Sequence, residues 1–271
     1  FSEKLNKGYK FNKRLIENVL DQTFDNKMED ILDTYVEYGK ILKPYIADVS
    51  VELYNAHKEG KRILFEGAQG ISLDVDHGIY PFTTSSNTCT GQISVGTGVS
   101  FNSIDRVIGV VKAYLSRVGE SPLPSESKDS DGDLIREKGG EYGTTTGRPR
   151  RIGWLDLVQI RQAVRINGLT EIALTKLDVL NNIPEIPICT SYELGDNEIK
   201  EMPASLTQYR EAKPIYKRLK GWGNLPENVW DHGYDALPSE LKNYINFIED
   251  EVSCPVTIVS VGPQRHETII R

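Results

Sequence analysis

The chain has 271 residues, with 32 Lys and Arg against 39 Asp and Glu, a formal net charge of −7. Its 38% hydrophobic share suits a globular protein long enough to bury a sizeable core, and no apolar run reaches the roughly 18 residues a membrane-spanning helix needs. The acidic balance argues against non-specific nucleic-acid binding, which demands a basic face, while leaving room for a local basic pocket. Three cysteines without Cys-x-x-Cys spacing and four scattered histidines argue against a disulfide framework and against a zinc site. They fit a reducing compartment, so a cytoplasmic protein is expected, with no membrane partner. The sequence opens at Phe1 on polar, helix-forming residues with no signal-peptide pattern, and reads as a piece of something longer.

Residues 11–58 carry helical periodicity, with Leu15, Ile16, Val19 and Leu20 on one face and Ile31, Leu32, Tyr35 and Val36 repeating the spacing. Lys61 to Gly67 switches to a short apolar run ending in glycine, the pattern of a buried strand entering a loop. Residues 67–100 are rich in Gly, Ser and Thr and poor in charge, and so long a loop region is usually functional. Ile104 to Leu115 is β-rich, and Glu120 to Gly140 reads as surface loop or irregular structure. Leu155 to Ile166 predicts a largely buried helix stopped at Asn167-Gly168, followed by a strand over Glu171 to Thr175. Ser191 to Met202 predicts a hairpin turning at Gly195-Asp196, and residues 203–236, with Pro203, Pro214 and Pro226, read as irregular. A helix after Pro238 and a strand over Val256 to Ser260 close the chain. The strand–helix alternation predicts an α/β fold, a single domain over residues 1–271.

Four clusters carry chemistry. Thr175-Lys176-Leu177-Asp178 follows an apolar strand, where open α/β sheets bind ligands. An Asp there can accept from N1–H and the 2-amino group of guanine together, and the Lys stem can lie along the base; the plain alternative is a solvated Lys and a turn Asp. Ser260-Val261-Gly262-Pro263, past a second strand, supplies a second wall to a purine pocket, or is simply a turn. Gly143 to Arg151 gathers Thr144, Thr145, Thr146, Gly147, Arg148, Pro149, Arg150 and Arg151, the makings of a small-anion loop rather than an RNA-binding one, since no aromatics are interleaved. In the fourth, Gln69 can hold an amide-like base edge and the Thr83–Thr88 run a phosphate. Asp74, Asp76 and His77 suggest a hard metal, but structural hydrogen bonding is the stronger reading and no metal ligand is assigned there. There is no GxxxxGK[ST], no GxGxxG and no GxSxG.

Together ILFEGAQG…LDVDHGIYPFTTSSNT (63–88), GTTTGRPRRIGWLDL (143–157), LTKLDVL (174–180) and VSVGP (259–263) closely resemble the adenylosuccinate synthetases, in order and at compatible spacings. The resemblance covers essentially the whole chain. It implies a mixed, largely parallel central sheet flanked by helices, a P-loop-NTPase-like nucleotide-binding architecture, incomplete at its N-terminus. It also implies GTP-dependent ligation of IMP and L-aspartate to adenylosuccinate, giving GDP and phosphate, in purine biosynthesis. The 6-oxygen of IMP is first phosphorylated and aspartate then displaces the phosphate. By this resemblance Gln69, Thr84 and Arg148 meet IMP, and Thr144 to Arg150 form the aspartate-binding loop, with Thr146 and Arg148 on the aspartate carboxylates. Arg150, Lys176, Leu177, Asp178, Ser260, Val261 and Gly262 contact GTP, and Val118 lies near bound substrate. The resemblance further implies Mg2+ and a homodimer. The family's GDEGKGK loop, its general-base Asp, its general-acid His, its magnesium ligands and a Thr and an Arg for the IMP phosphate find no match here. The 271 residues alone are therefore expected to be inactive, with no catalytic or metal residue of their own. The alternatives are a non-catalytic guanine-nucleotide-binding module and a small RNA-binding domain using Arg148, Arg150 and Arg151.

Overall fold

The computed structural model describes residues 1–144 and 147–271. Contacts divide the chain into two compact units, Phe1–Arg62 and Ile63–Arg271. The first holds three helices, α1 (Ser2–Asn18), α2 (Met28–Leu42) and α3 (Val49–Lys58). Asp48 caps α3 by accepting from the Val51 N–H at 3.3 Å. The expected helical periodicity is present, but none of the three helices fully buries a residue. Val19 and Tyr35 stay 69% and 57% exposed, so the apolar faces of this unit are not packed within it.

In the second unit a loop region rich in turns leads through α4 (Gly91–Thr97) to β1 (Ile108–Lys112) and β2 (Tyr114–Arg117). Then come α5 (Ser130–Gly139), β3 (Arg151–Trp154), α6 (Leu157–Asn167), β4 (Glu171–Thr175), β5 (Glu185–Leu194) and β6 (Asn197–Ile199). The chain continues with α7 (Leu206–Glu211), β7 (Lys213–Lys220), α8 (Ser239–Val252), β8 (Val256–Ser260) and β9 (Thr268–Ile270). The main sheet has the order β1-β4-β8-β9, parallel except for β9. β2 pairs with β3, and β5 lies between β6 and β7 in an antiparallel sheet. The fold is thus α/β, as the residues predict, and a mixed, largely parallel sheet with flanking helices, as the resemblance implies.

The core explains the helices. In α8, Leu241, Tyr244, Ile245, Ile248 and Val252 recur at helical spacing, and all are buried with Leu157 and Ile160 of α6 and Ile172, Leu174, Val256 and Val259 of the sheet. Each such side chain contributes about 1.5–3 kcal/mol of apolar burial. Helix α6 begins at Asp156, whose carboxylate accepts from the Val158 N–H at 3.0 Å, and ends where Gly168 takes the left-handed φ of +59°.

Three expectations fail. Residues 120–140 are not surface loop: they contain α5, capped by Asp129 through the Gly132 N–H (3.2 Å), and Ser121, Ser125, Ser127 and Ile135 are buried. The turn-like Asp131-Gly132 falls inside the first helical turn, and of the helix's two apolar side chains Ile135 is buried while Leu134 is exposed. Residues 203–236 are not wholly irregular, because Lys213–Lys220 forms β7 along β5. Pro214 is tolerated there because β7 is an edge strand and the missing N–H breaks no inner ladder. The run Ile63 to Glu66 is not a buried strand; it pairs with no strand among the described residues, and Leu64 is 87% exposed. A short apolar run becomes a strand only when a partner edge accepts its hydrogen bonds.

Candidate functional site

Neighbouring strands β4 and β8 run parallel, with Leu174 opposite Val259, and both end at the same rim of the sheet. Their following loops, Lys176–Asp178 and Ser260–Gly262, therefore lie side by side: the two halves of the expected purine pocket meet. Leu177 and Val261 are buried beneath it. Lys176 takes a left-handed φ of +64°, as Gln69 does at +61°. Such backbone costs about 1 kcal/mol for a non-glycine residue and clusters at functional sites. The Lys176 ammonium donates to the Gly139 carbonyl at 3.1 Å, which fixes the stem across the loop. Burial raises the Asp178 carboxyl above its usual range, Lys176 opposes this, and Glu267 adds to it.

Glu267 also builds the opposite wall. Its carbonyl accepts from the Val261 N–H (2.9 Å) and its carboxylate from the Gln264 N–H (2.5 Å). That carboxylate lies in the space a Cβ at position 262 would occupy, so a larger residue there would have to displace the Glu267 side chain. The Ser260 hydroxyl donates to the Gly262 carbonyl at 3.0 Å.

The basic loop returns on itself. The Gly143 N–H donates to the Arg148 carbonyl (2.8 Å) and the Gly147 N–H to the Gly143 carbonyl (2.7 Å), with Pro149 bridged to Tyr142. Thr144, Gly147, Arg148 and Pro149 are exposed, whereas Thr145 and Thr146 lie outside the described residues. Arg150 points to Glu141, its guanidinium donating at 2.6 Å. Glu141, 1% exposed, also accepts from the Lys112 ammonium and the Tyr114 hydroxyl, each at 2.7 Å. Burial alone would raise this carboxyl; the Lys112, Tyr114 and Arg150 hydrogen bonds outweigh it and hold the pKa at about 2. Lys112 is opposite Thr175 in the β1–β4 register, so this cluster borders the Lys176–Asp178 loop. Arg151 is committed elsewhere, doubly bonded to Glu126 at 2.6 and 2.7 Å.

The third region folds around Asp74. This fully buried carboxylate accepts from the N–H groups of Asp76 and His77 (2.9 Å each), Thr88 (2.5 Å) and Cys89 (3.2 Å), and from the Asn87 amide (3.3 Å). The structural reading of Asp74 is thus the one the geometry supports. Among the described residues no group of three or more His, Cys, Asp or Glu is disposed to hold a metal ion. Gln69 is exposed at the start of this region, and the Thr84 N–H donates to the Leu73 carbonyl at 2.8 Å. Val118 is 65% exposed just past β2. Sequence reasoning missed Glu141, Lys112, Tyr114, Glu267 and Arg117. A lone Glu between a glycine pair and a basic loop is the one signal that pointed to Glu141.

The family model described as adenylosuccinate synthetase matches residues 1–269. The chain belongs to the adenylosuccinate synthetase family. The adenylosuccinate synthetase of Caldanaerobacter subterraneus subsp. tengcongensis is 48% identical, the match covering all of this chain and 62% of that protein. That of Streptococcus gordonii is 46% identical with the same coverage. The fully ligated adenylosuccinate synthetase of Plasmodium falciparum superposes with a TM-score of 0.89 at 35% identity, covering all of this chain and 64% of that one. The chain thus spans about 62% of the length of the curated adenylosuccinate synthetases it matches.

Proposed function

We propose that this chain supplies the base-reading and amino-acid-binding parts of an enzyme that joins IMP to L-aspartate at the expense of GTP, forming adenylosuccinate, GDP and phosphate. Residues 1–271 are taken as one domain of that fold, acting in a cytoplasmic homodimer. The observation that carries the reading is the juxtaposition of Lys176–Asp178 and Ser260–Gly262 at the rim of adjacent parallel strands, with Arg150 held beside them through Glu141 and Lys112.

Asp178 accepts the N1–H and 2-amino protons of guanine, an edge adenine lacks. Lys176 and Leu177 bound one face of the base, and Ser260, Val261 and Gly262 the other. Arg150 meets the GTP side, Thr144 to Arg148 close on the aspartate carboxylates, and Gln69, Thr84 and Arg148 hold IMP, with Val118 nearby. GTP and IMP are bound as substrates. Magnesium, which the family's chemistry calls for, would screen the phosphate charge. The carboxylates here do not fit it: Asp74 and Glu141 are filled by N–H, O–H and cationic donors, and no step is assigned to the metal. With no GxxxxGK[ST] in its sequence, the chain alone is expected to bind nucleotide without turnover.

Two measurements test this. Calorimetric titration should show GDP binding and no ADP binding. Asp178→Asn should weaken GDP by about 100-fold, the worth of two hydrogen bonds to a charged acceptor. Wild-type affinity for GDP should fall on acidification from a higher pH than an ordinary carboxylate gives, since burial raises Asp178. Equal binding of GDP and ADP defeats the guanine assignment. Fusing the chain behind the remaining N-terminal part of a curated relative should restore aspartate-dependent phosphate release from GTP and IMP; a folded, dimeric fusion without it defeats the ligase reading.

A further inference from the structure

Arg117 ends β2, and no carboxylate among the described residues pairs with its charge. Its Nη2 donates to the Phe82 carbonyl at 3.0 Å, while its buried Nε has no hydrogen-bond partner among the described residues. Arg151 lies opposite in the β2–β3 register, but Glu126 neutralises that guanidinium at 2.6 Å. The Tyr209 hydroxyl, the other titratable group facing Arg117, is also buried and makes no hydrogen bond to a carboxylate among the described residues. Burial depresses the Arg117 pKa, with Tyr209 opposing and Arg151 assisting. A desolvated cation without a counter-charge favours an arriving anion.

The peptide that Arg117 grips joins Phe82 to Thr83. In a trans peptide the C=O and the following N–H point to opposite sides. With the Phe82 carbonyl turned to Arg117, the Thr83 N–H faces the other way and makes no backbone hydrogen bond among the described residues. That donor is next in the chain to Thr84, whose own N–H is spent on Leu73. The Asp74 carboxylate nearby is saturated by N–H donors and so presents little repulsion.

We propose that Arg117 is a positioning residue for the phosphate of a nucleoside monophosphate. It sets the Phe82–Thr83 peptide so that the Thr83 N–H and the Thr84 hydroxyl act together, and it supplies the local positive charge. The inference rests on the reading of Thr84 as a contact of IMP. Polarisation of the gripped carbonyl strengthens the N–H of the same peptide as a donor.

The test compares IMP with inosine, which lacks the phosphate, by calorimetry on the 271-residue chain, with GMP and AMP as further arms. The wild type should prefer IMP over inosine by about tenfold, and the preference should shrink with added salt while inosine affinity stays constant. Arg117→Met should bring the ratio close to one without changing inosine affinity, a split that a general loss of structure does not produce. Arg117→Lys, which keeps the charge and one donor, should recover most of the preference and stands in if the Met variant melts early. A wild-type ratio in Arg117→Met overturns the proposal, as does a wild type that shows no preference for IMP over inosine. If all three monophosphates share a preference that Arg117→Met abolishes, Arg117 keeps its role and only the assignment of the IMP base fails.

Discussion

Glu141 gathers Lys112, Tyr114 and Arg150 on one buried carboxylate, and its depressed pKa ties stability to pH. The folded value of about 2 lies below the ordinary 4.5. The stabilisation is therefore fully present above pH 4.5 and is lost as pH falls towards 2, on the order of 3 kcal/mol in all. Urea melts of the wild type between pH 5 and pH 2.5 should show this loss, and Glu141→Gln should flatten the slope while lowering stability at pH 7. A variant whose stability keeps the wild-type pH slope would contradict the assignment. Little of this was legible in advance. Asp178 and Lys176 stand out because they follow an apolar strand, a context visible along the chain. Two of the three partners of Glu141, Lys112 and Tyr114, lie 29 and 27 residues away, and the run of residues around Glu141 does not report them.

At the scale of elements, legibility follows how each element obtains its stability. Helix α8 and strands β4 and β8 carry their apolar pattern themselves, so their sequences announce them. Helix α5 is short and polar, and it owes its start to one side chain, Asp129. Asp129→Ala should cost about 1 kcal/mol, read as a lower urea midpoint with unchanged slope. It should leave GDP affinity within twofold, because the C-terminal end of α5, through the Gly139 carbonyl and Lys138, meets the Lys176–Asn181 segment, whereas Asp129 caps the opposite end. A shift below the precision of the melt would mean that the buried Ile135 alone holds the helix. Strand β7 was hidden for a different reason: its one proline, Pro214, lies where an edge strand tolerates it, and sequence alone does not tell edge from centre.

Across the whole molecule, the main sheet leaves one side of β1 unpaired among the described residues, with Val110 76% exposed on it. An unpaired, apolar edge invites pairing with a second copy. The isolated chain should therefore show a sedimentation coefficient that rises with concentration, and Val110→Lys should suppress the rise. Wild type that sediments as a monomer at high concentration would remove the argument. The apolar faces of α6 and α8 that cover this sheet were legible in the sequence. The Asp74 knot has a consequence of another kind. It ties the chain to itself across 15 residues, from Asp74 to Cys89, and so acts as a crosslink. Closing a loop removes freedom from the chain whether the clasp is covalent or not. Burial alone would raise this carboxyl, but the N–H groups of His77, Thr88, Asp76 and Cys89 hold it well below the usual range. All three cysteines are free. Where another protein would staple such a loop with sulfur, this one uses a charge, and its clasp answers to protons and is indifferent to reductants.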